Sequence, residues 1–178
     1  MEIETLDVRG FGPAIVAMRN PMSSWAKSDS NGDAGYFRIG EKDKELSIKL
    51  QKAGPEHCKH LRMVMCWANI SASLCWWKQM DCYRAGVEKV STSTMHKIMS
   101  RLLSLDDFAE TPDGCMSEHM MDTVMYLNEL IKAYQEAKDP TEKKILFDYV
   151  IQALPQSYIQ KRTVMMSYAA LRNIYRQR

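Results

Sequence analysis

Apolar and polar positions along the chain fall into blocks whose period changes several times. The opening "MEIETLDV" alternates loosely, but its β-branched residues and the "RGFGP" after it predict a short strand closed by a glycine turn. "AIVAMRN" is apolar up to Pro21, and "SSWAKSDSNGDAGYFRIG" is so dense in Ser, Asp, Asn and Gly that it predicts a long loop. From Glu41 to Ala53, Leu46, Ile48, Leu50 and Ala53 sit among charges in a helix-forming composition stopped by Gly54 and Pro55. "LRMVMCWANI" is bulky and β-branched, which predicts a buried strand, and "ASLCWWKQMDCYR" a helix after it.

The back half has a longer period. Ser117, Met120, Met121, Val124, Met125, Leu127, Leu130, Ile131 and Tyr134 recur near 3.6, which predicts a long helix. Pro140 then opens a second helix through Ile145, Leu146, Tyr149, Val150 and Leu154, closed by Pro155. From Gln156 to Arg178, the spacing of Ile159, Val164, Met165, Tyr168, Leu171, Ile174 and Tyr175 predicts a helical tail.

Composition narrows the class. The chain has 178 residues, 46% hydrophobic and 26% charged, which suits one globular domain over 1–178. A net charge of +2 gives no field that draws nucleic acid. No apolar run approaches a membrane span. Five cysteines without paired spacing predict reduced thiols in a soluble, cytoplasmic protein.

Three groups of residues invite chemistry. His57, Cys58, His60 and Cys66 lie close together but lack the paired spacing of a zinc site, so no metal is expected. Cys75 and Cys82 fall in an apolar helix, where cysteine behaves as a small hydrophobe. Trp67, Trp76 and Trp77 suit a core or a subunit interface. "VSTST" offers the hydroxyls of Ser91, Thr92, Ser93 and Thr94, which either bind a phosphate or cap a helix begun by "MHKIMSRLL".

Two segments resemble the flavin-dependent thymidylate synthases. In that family a segment of the form HxxPFEH leads into a strand, a helix with a glutamine, and RHRxxSxxxxSxRY. Here "HCKHLRM", Gln79 and "CYRAGVEKVSTSTM" fall at the same spacing. The tail "LPQSYIQKRTVMMSYAALRNIYRQR" is similar to the family's LP, its helix carrying NxR and its final LR, and "AMRNP" resembles its early A-x-R-V-S. The resemblance runs from Ala17 to Arg178.

It implies an α/β (α+β) fold, a small mostly antiparallel sheet flanked by long helices, assembled as a homo-oligomer, a tetramer in the family. Residue by residue, it implies Thr92 and Ser93 at the catalytic hydroxyl. Gln79, Arg84, Ser91, Thr94 and Arg178 would hold a dUMP-like pyrimidine nucleotide, and His57, Tyr83 and Asn173 would lie near the cofactor, FAD. In the family's reaction reduced flavin delivers a hydride while a folate supplies the one-carbon unit, a methyl transfer to deoxyuridylate.

The departures fall on charged positions. Met63 stands for the second histidine of HxxPFEH, Cys82 and Tyr83 for the first two residues of RHR, Thr94 for the arginine of SxR, Ile151 for the arginine before LP, and Ser167 and Ala169 for NxR. Each lost arginine fork removes charge-assisted bonds of about 1.5 to 3 kcal/mol. The expectation is a divergent member that holds FAD weakly, with a non-catalytic oligomer keeping the fold without the cofactor as the alternative.

Overall fold

The structure, a computed structural model, describes residues 1–33, 36–110 and 118–178. Ala34 and Gly35 of the expected loop, and Ser117 at the head of the long helical pattern, lie outside the described residues. In chain order the elements are β1 (Glu2–Arg9), α1 (Phe11–Arg19), β2 (Asn31–Gly32), β3 (Phe37–Arg38), α2 (Glu41–Ala53), β4 (Met65–Ser73), α3 (Leu74–Met80), β5 (Val87–Ser91), α4 (Thr94–Lys97), α5 (Glu118–Glu136), α6 (Pro140–Ala153), β6 (Ile159–Ser167) and α7 (Tyr168–Gln177). The main sheet is small and antiparallel, in the order β1-β4-β6-β5, so the fold is mixed α/β as expected.

The chain forms two compact units, whose boundaries fall inside strands. One comprises Met1–Glu2, Ile70–Cys82 and Ser91–Arg162. Its core is the stripe Val124, Leu127 and Ile131 of α5, packed with Val150 and Leu154 around α6 and with Ile98, Met99, Leu103 and Phe108. The helical spacing of these apolar residues is what puts them on one face. Asp139 caps α6 by accepting from the amides of Thr141 and Glu142, with Pro140 in the first turn. Ser73 caps α3 in the same way through the Trp76 amide.

The other unit comprises Ile3–Asn69, Tyr83–Val90 and Thr163–Arg178. Gly10 begins α1 at φ 98°, and a Cβ there would meet the Met63 carbonyl oxygen at 2.1 Å, so only glycine fits. The Ser/Asn/Gly-rich stretch is largely irregular, with a two-residue antiparallel pairing of β2 and β3. It wraps the buried Asp43 of α2, which pairs with the buried Arg19 of "AMRNP".

Several elements depart from the spacing. Of the expected helical tail only Tyr168–Gln177 is helical, and Ile159–Ser167 is a strand. Its inward residues Gln160, Val164 and Met166 follow a period of 2, while the apolar set alone also satisfies a helix. Pairing with β4 and β5 decided between them. The strand expected from Leu61 starts at Met65, because Lys59–Arg62 forms a tight 3₁₀ turn. The helix expected to reach Arg84 stops at Met80, and the one expected from "MHKIMSRLL" is one turn of α4 followed by a 3₁₀ turn.

Candidate functional site

In the unit that carries α7, a cavity of about 560 Å³ opens at the head of that helix. Arg62, Met65, Ala85, Gly86, Ser167, Ala169, Ala170 and Asn173 line it. Three sequence segments therefore meet: the end of "HCKHLRM", the turn inside "CYRAGVEKV", and the tail. Each is fixed by backbone bonds. The Ser167 amide donates to the Gly86 carbonyl at 2.9 Å, and the Tyr168 amide to the Val64 carbonyl at 2.9 Å. Ser167 then caps α7, its hydroxyl accepting from the Ala170 amide at 3.2 Å. Gly86 has φ 70°, and a Cβ there would lie 2.7 Å from the Ser167 hydroxyl oxygen.

Among the described residues that line this cavity, Arg62 is the only charged one, and it forms no ion pair among them. It stands where HxxPFEH has its glutamate, a reversal of charge at that position. Asn173 lines the wall and accepts from the Gln177 amide at 3.2 Å. Tyr83 is half-buried and Arg84 exposed, next to the lining residues Ala85 and Gly86. Arg178 is exposed at the end of α7. His57 is exposed, its Nε2 3.4 Å from Glu56, and does not line the cavity.

The remaining expected residues belong to the other unit. Gln79 is exposed on α3, and Ser91, Thr92 and Ser93 are exposed where β5 ends. Thr94, half-buried, starts α4. Two of these hydroxyl residues join a polar network. The Thr92 hydroxyl donates to the Lys161 carbonyl at 3.1 Å, and Gln160 Nε2 donates to the Thr92 carbonyl and to Thr94 Oγ1, each at 3.1 Å. Arg162 Nε donates to Gln160 Oε1 at 2.9 Å, and its Nη1 donates to both carboxylate oxygens of Asp81 at 3.0 and 3.1 Å. The guanidinium lies over the ring of the buried Trp77, 4.3 Å from its centre, and the indole N–H donates to the Gln160 carbonyl at 2.9 Å.

The residues near the histidines have other duties. His60 is buried with Nε2 2.9 Å from the Ser47 hydroxyl, and burial lowers its pKa. The buried Cys58 thiol faces the carbonyls of Leu50 and Gly54, and burial pushes the Cys66 thiol up. Among the described residues no group of three or more His, Cys, Asp or Glu is placed to hold a metal ion. No helix among them is long and apolar enough to cross a membrane.

Sequence reasoning missed Arg62, Gln160 and Arg162. The signal for Arg62 was its place inside the quoted "HCKHLRM". Gln160 and Arg162 were hidden by the helical reading of the tail, since residues two apart share a face only on a strand.

No protein-family model matches the chain, and no curated protein matches it. Among solved structures, thymidylate synthase X (ThyX) from Helicobacter pylori with FAD and dUMP is similar at TM-score 0.70 and 18% identity, covering 97% of this chain and 81% of that one. The flavin-dependent thymidylate synthase ThyX from Helicobacter pylori complexed with FAD and dUMP gives TM-score 0.71 and 19% identity over 97% and 82%. Likeness at this identity shows a shared architecture: the chain has the fold of these ThyX structures.

Proposed function

We propose that this chain is a divergent flavin-dependent thymidylate synthase-like protein that binds a dUMP-like pyrimidine nucleotide and holds FAD weakly. The observation that carries the proposal is the convergence at the head of α7. Segments around Arg62, Gly86 and Ser167–Asn173 are far apart in sequence, the resemblance assigns them to one flavin and nucleotide site, and they line one cavity. Its volume of about 560 Å³ lies within the usual range for small-ligand sites. The solved structures that share the fold hold FAD and dUMP.

The same lining supports a weak hold on FAD. Of the positions where the family's motifs carry cationic or imidazole groups, Ala169 lies in the wall without charge, and Arg62 is the one guanidinium among the described lining residues. A dinucleotide pyrophosphate needs more than one such partner for tight charge-assisted binding. Arg84 and Arg178, both exposed, are the arginines at which a nucleotide monophosphate would be held.

Titration of the purified protein with dUMP and with FAD tests this. Expected are saturable dUMP binding, FAD affinity weaker than about micromolar, and a further loss of FAD binding in Arg62→Ala. A protein that purifies yellow, or binds FAD at submicromolar affinity, overturns the weak-cofactor part. A colourless protein that binds no dUMP at millimolar concentration sinks the whole reading in favour of a non-catalytic oligomer.

A further inference from the structure

We propose that Gln160 is a positioning residue that makes the Thr94 hydroxyl a dedicated donor to a bound oxyanion, with Arg162, Asp81 and Trp77 holding Gln160 in that role. The inference takes its ligand class from the reading above and goes further by naming the donor and what orients it.

The direction of each hydrogen bond follows from what each group is able to do. A guanidinium only donates, so Arg162 Nε, 2.9 Å away, must face the oxygen of the Gln160 amide. A carbonyl only accepts, so the Thr92 carbonyl at 3.1 Å must face the nitrogen. The two ends of the amide are thereby assigned by independent partners. The nitrogen also reaches Thr94 Oγ1 at 3.1 Å, so this hydroxyl accepts from Gln160 and its own proton is directed elsewhere. No bond from that proton to a described group is present.

Thr92 has the opposite arrangement. Its hydroxyl proton goes to the Lys161 carbonyl at 3.1 Å, so toward a ligand it offers lone pairs only. An oxyanion needs donors. Within the stretch Thr92 to Thr94 the network thus singles out Thr94 over Thr92 as the donor. Gln160 cannot easily turn, because Arg162 is tied to Asp81 and stacked on the fully buried Trp77.

Calorimetric titration of the full chain with inorganic phosphate and, separately, with dUMP tests the proposal. Thr94→Val should weaken binding by roughly tenfold or more, and Thr94→Ser, which keeps the hydroxyl, should restore it. Gln160→Glu replaces the donating amide by an accepting carboxylate, draws the Thr94 proton inward and should weaken binding to a similar extent. In the Thr94→Val background the same change should add little, because the proton it captures is already gone. If Gln160→Glu costs the same factor in both backgrounds, charge repulsion explains it and the proposal falls. Thr94→Val binding like the unmodified protein also overturns it.

Should Thr94→Val not fold, Gln160→Glu against Gln160→Met at high salt carries the test. The first captures the proton and the second leaves it free, so equal losses refute the positioning role. Phosphate binding with the expected pattern but no dUMP binding sinks the pyrimidine reading and leaves this one standing. Binding of dUMP that ignores Thr94 does the reverse, and binding of neither ligand at millimolar concentration overturns both.

Discussion

Asp43 shows how much one buried residue can organise. Its side chain is wholly inaccessible, and it accepts from Arg19, from the hydroxyls of Ser28 and Ser30, and from the amides of Asp29 and Ser30. Asp29 in turn accepts from the amides of Lys42 and Asp43 at the start of α2. Burial acts to raise the carboxyl pKa, but the Ser28, Ser30 and Arg19 bonds outweigh it and hold it at about 2. The folded value lies below the ordinary one, so the unfolded chain takes up the proton first as pH falls. The contribution, about 2 kcal/mol, is complete above about pH 4 and is lost as pH falls toward 2. Urea midpoints measured across that window should drop less in Asp43→Asn than in the unmodified protein. Asp43→Asn itself should cost about 3 kcal/mol at neutral pH, because Arg19, only 5% exposed, would lose its charge partner.

At the scale of elements, the turn before β5 and the start of α7 act as one joint. Gly86 takes a left-handed φ of 70°, its carbonyl accepts the Ser167 amide, and its α-carbon faces the Ser167 hydroxyl that caps the helix. Gly86→Ala adds both left-handed strain and a close contact, so a loss of about 2 kcal/mol is expected in chemical denaturation. In a Ser167→Ala background, which alone should cost about 1 kcal/mol through the lost cap, part of that penalty should disappear because the contacting oxygen is gone. Additive losses would mean that the two residues do not act as a joint. The same elements show why the polar run after the tryptophans is not simply a helix cap. Ser91 ends the edge strand β5, Thr92 binds across to Lys161, and only Thr94 starts a helix, of a single turn.

For the whole molecule, the question is what covers its remaining apolar surface. Trp77 is completely buried, so of the three tryptophans expected in a core or interface it belongs to the core, while Trp67 and Trp76 are half-buried. Beyond the face that packs inward, α5 carries exposed Met121, Met125 and Tyr126, and α6 carries exposed Ile145 and Tyr149. The members Met121 and Met125, and likewise Ile145 and Tyr149, are four apart, which gives each helix a second apolar strip. Self-association is the expected outcome: light scattering at about micromolar concentration should give a multiple of the 20.5 kDa chain mass. Met125→Lys with Tyr149→Lys should shift the mass toward the monomer. A monomeric mass for the unmodified protein would remove the expectation of a homo-oligomer.

Much of this protein was written in local pattern. The α2 boundaries at Glu41 and Ala53, the α5 stripe and the Pro140 start of α6 all follow from signals that act within a few residues: period, caps, glycine and proline. The spacing of "HCKHLRM", "CYRAGVEKV" and the tail likewise carried the resemblance whose fold the structure has. Tertiary structure decided what those signals left degenerate. The apolar positions between Ile159 and Ser167 satisfy both a helix and a strand, and bonds such as Cys75 to Gln156 and Ser167 to Gly86, between residues distant in sequence, select the strand. That choice brings Gln160 and Arg162 to one face, where an ion pair and an amide give Thr94 its orientation. It also closes the cavity around Arg62. Both depend on residues 80 or more positions apart, and no local period encodes such a meeting.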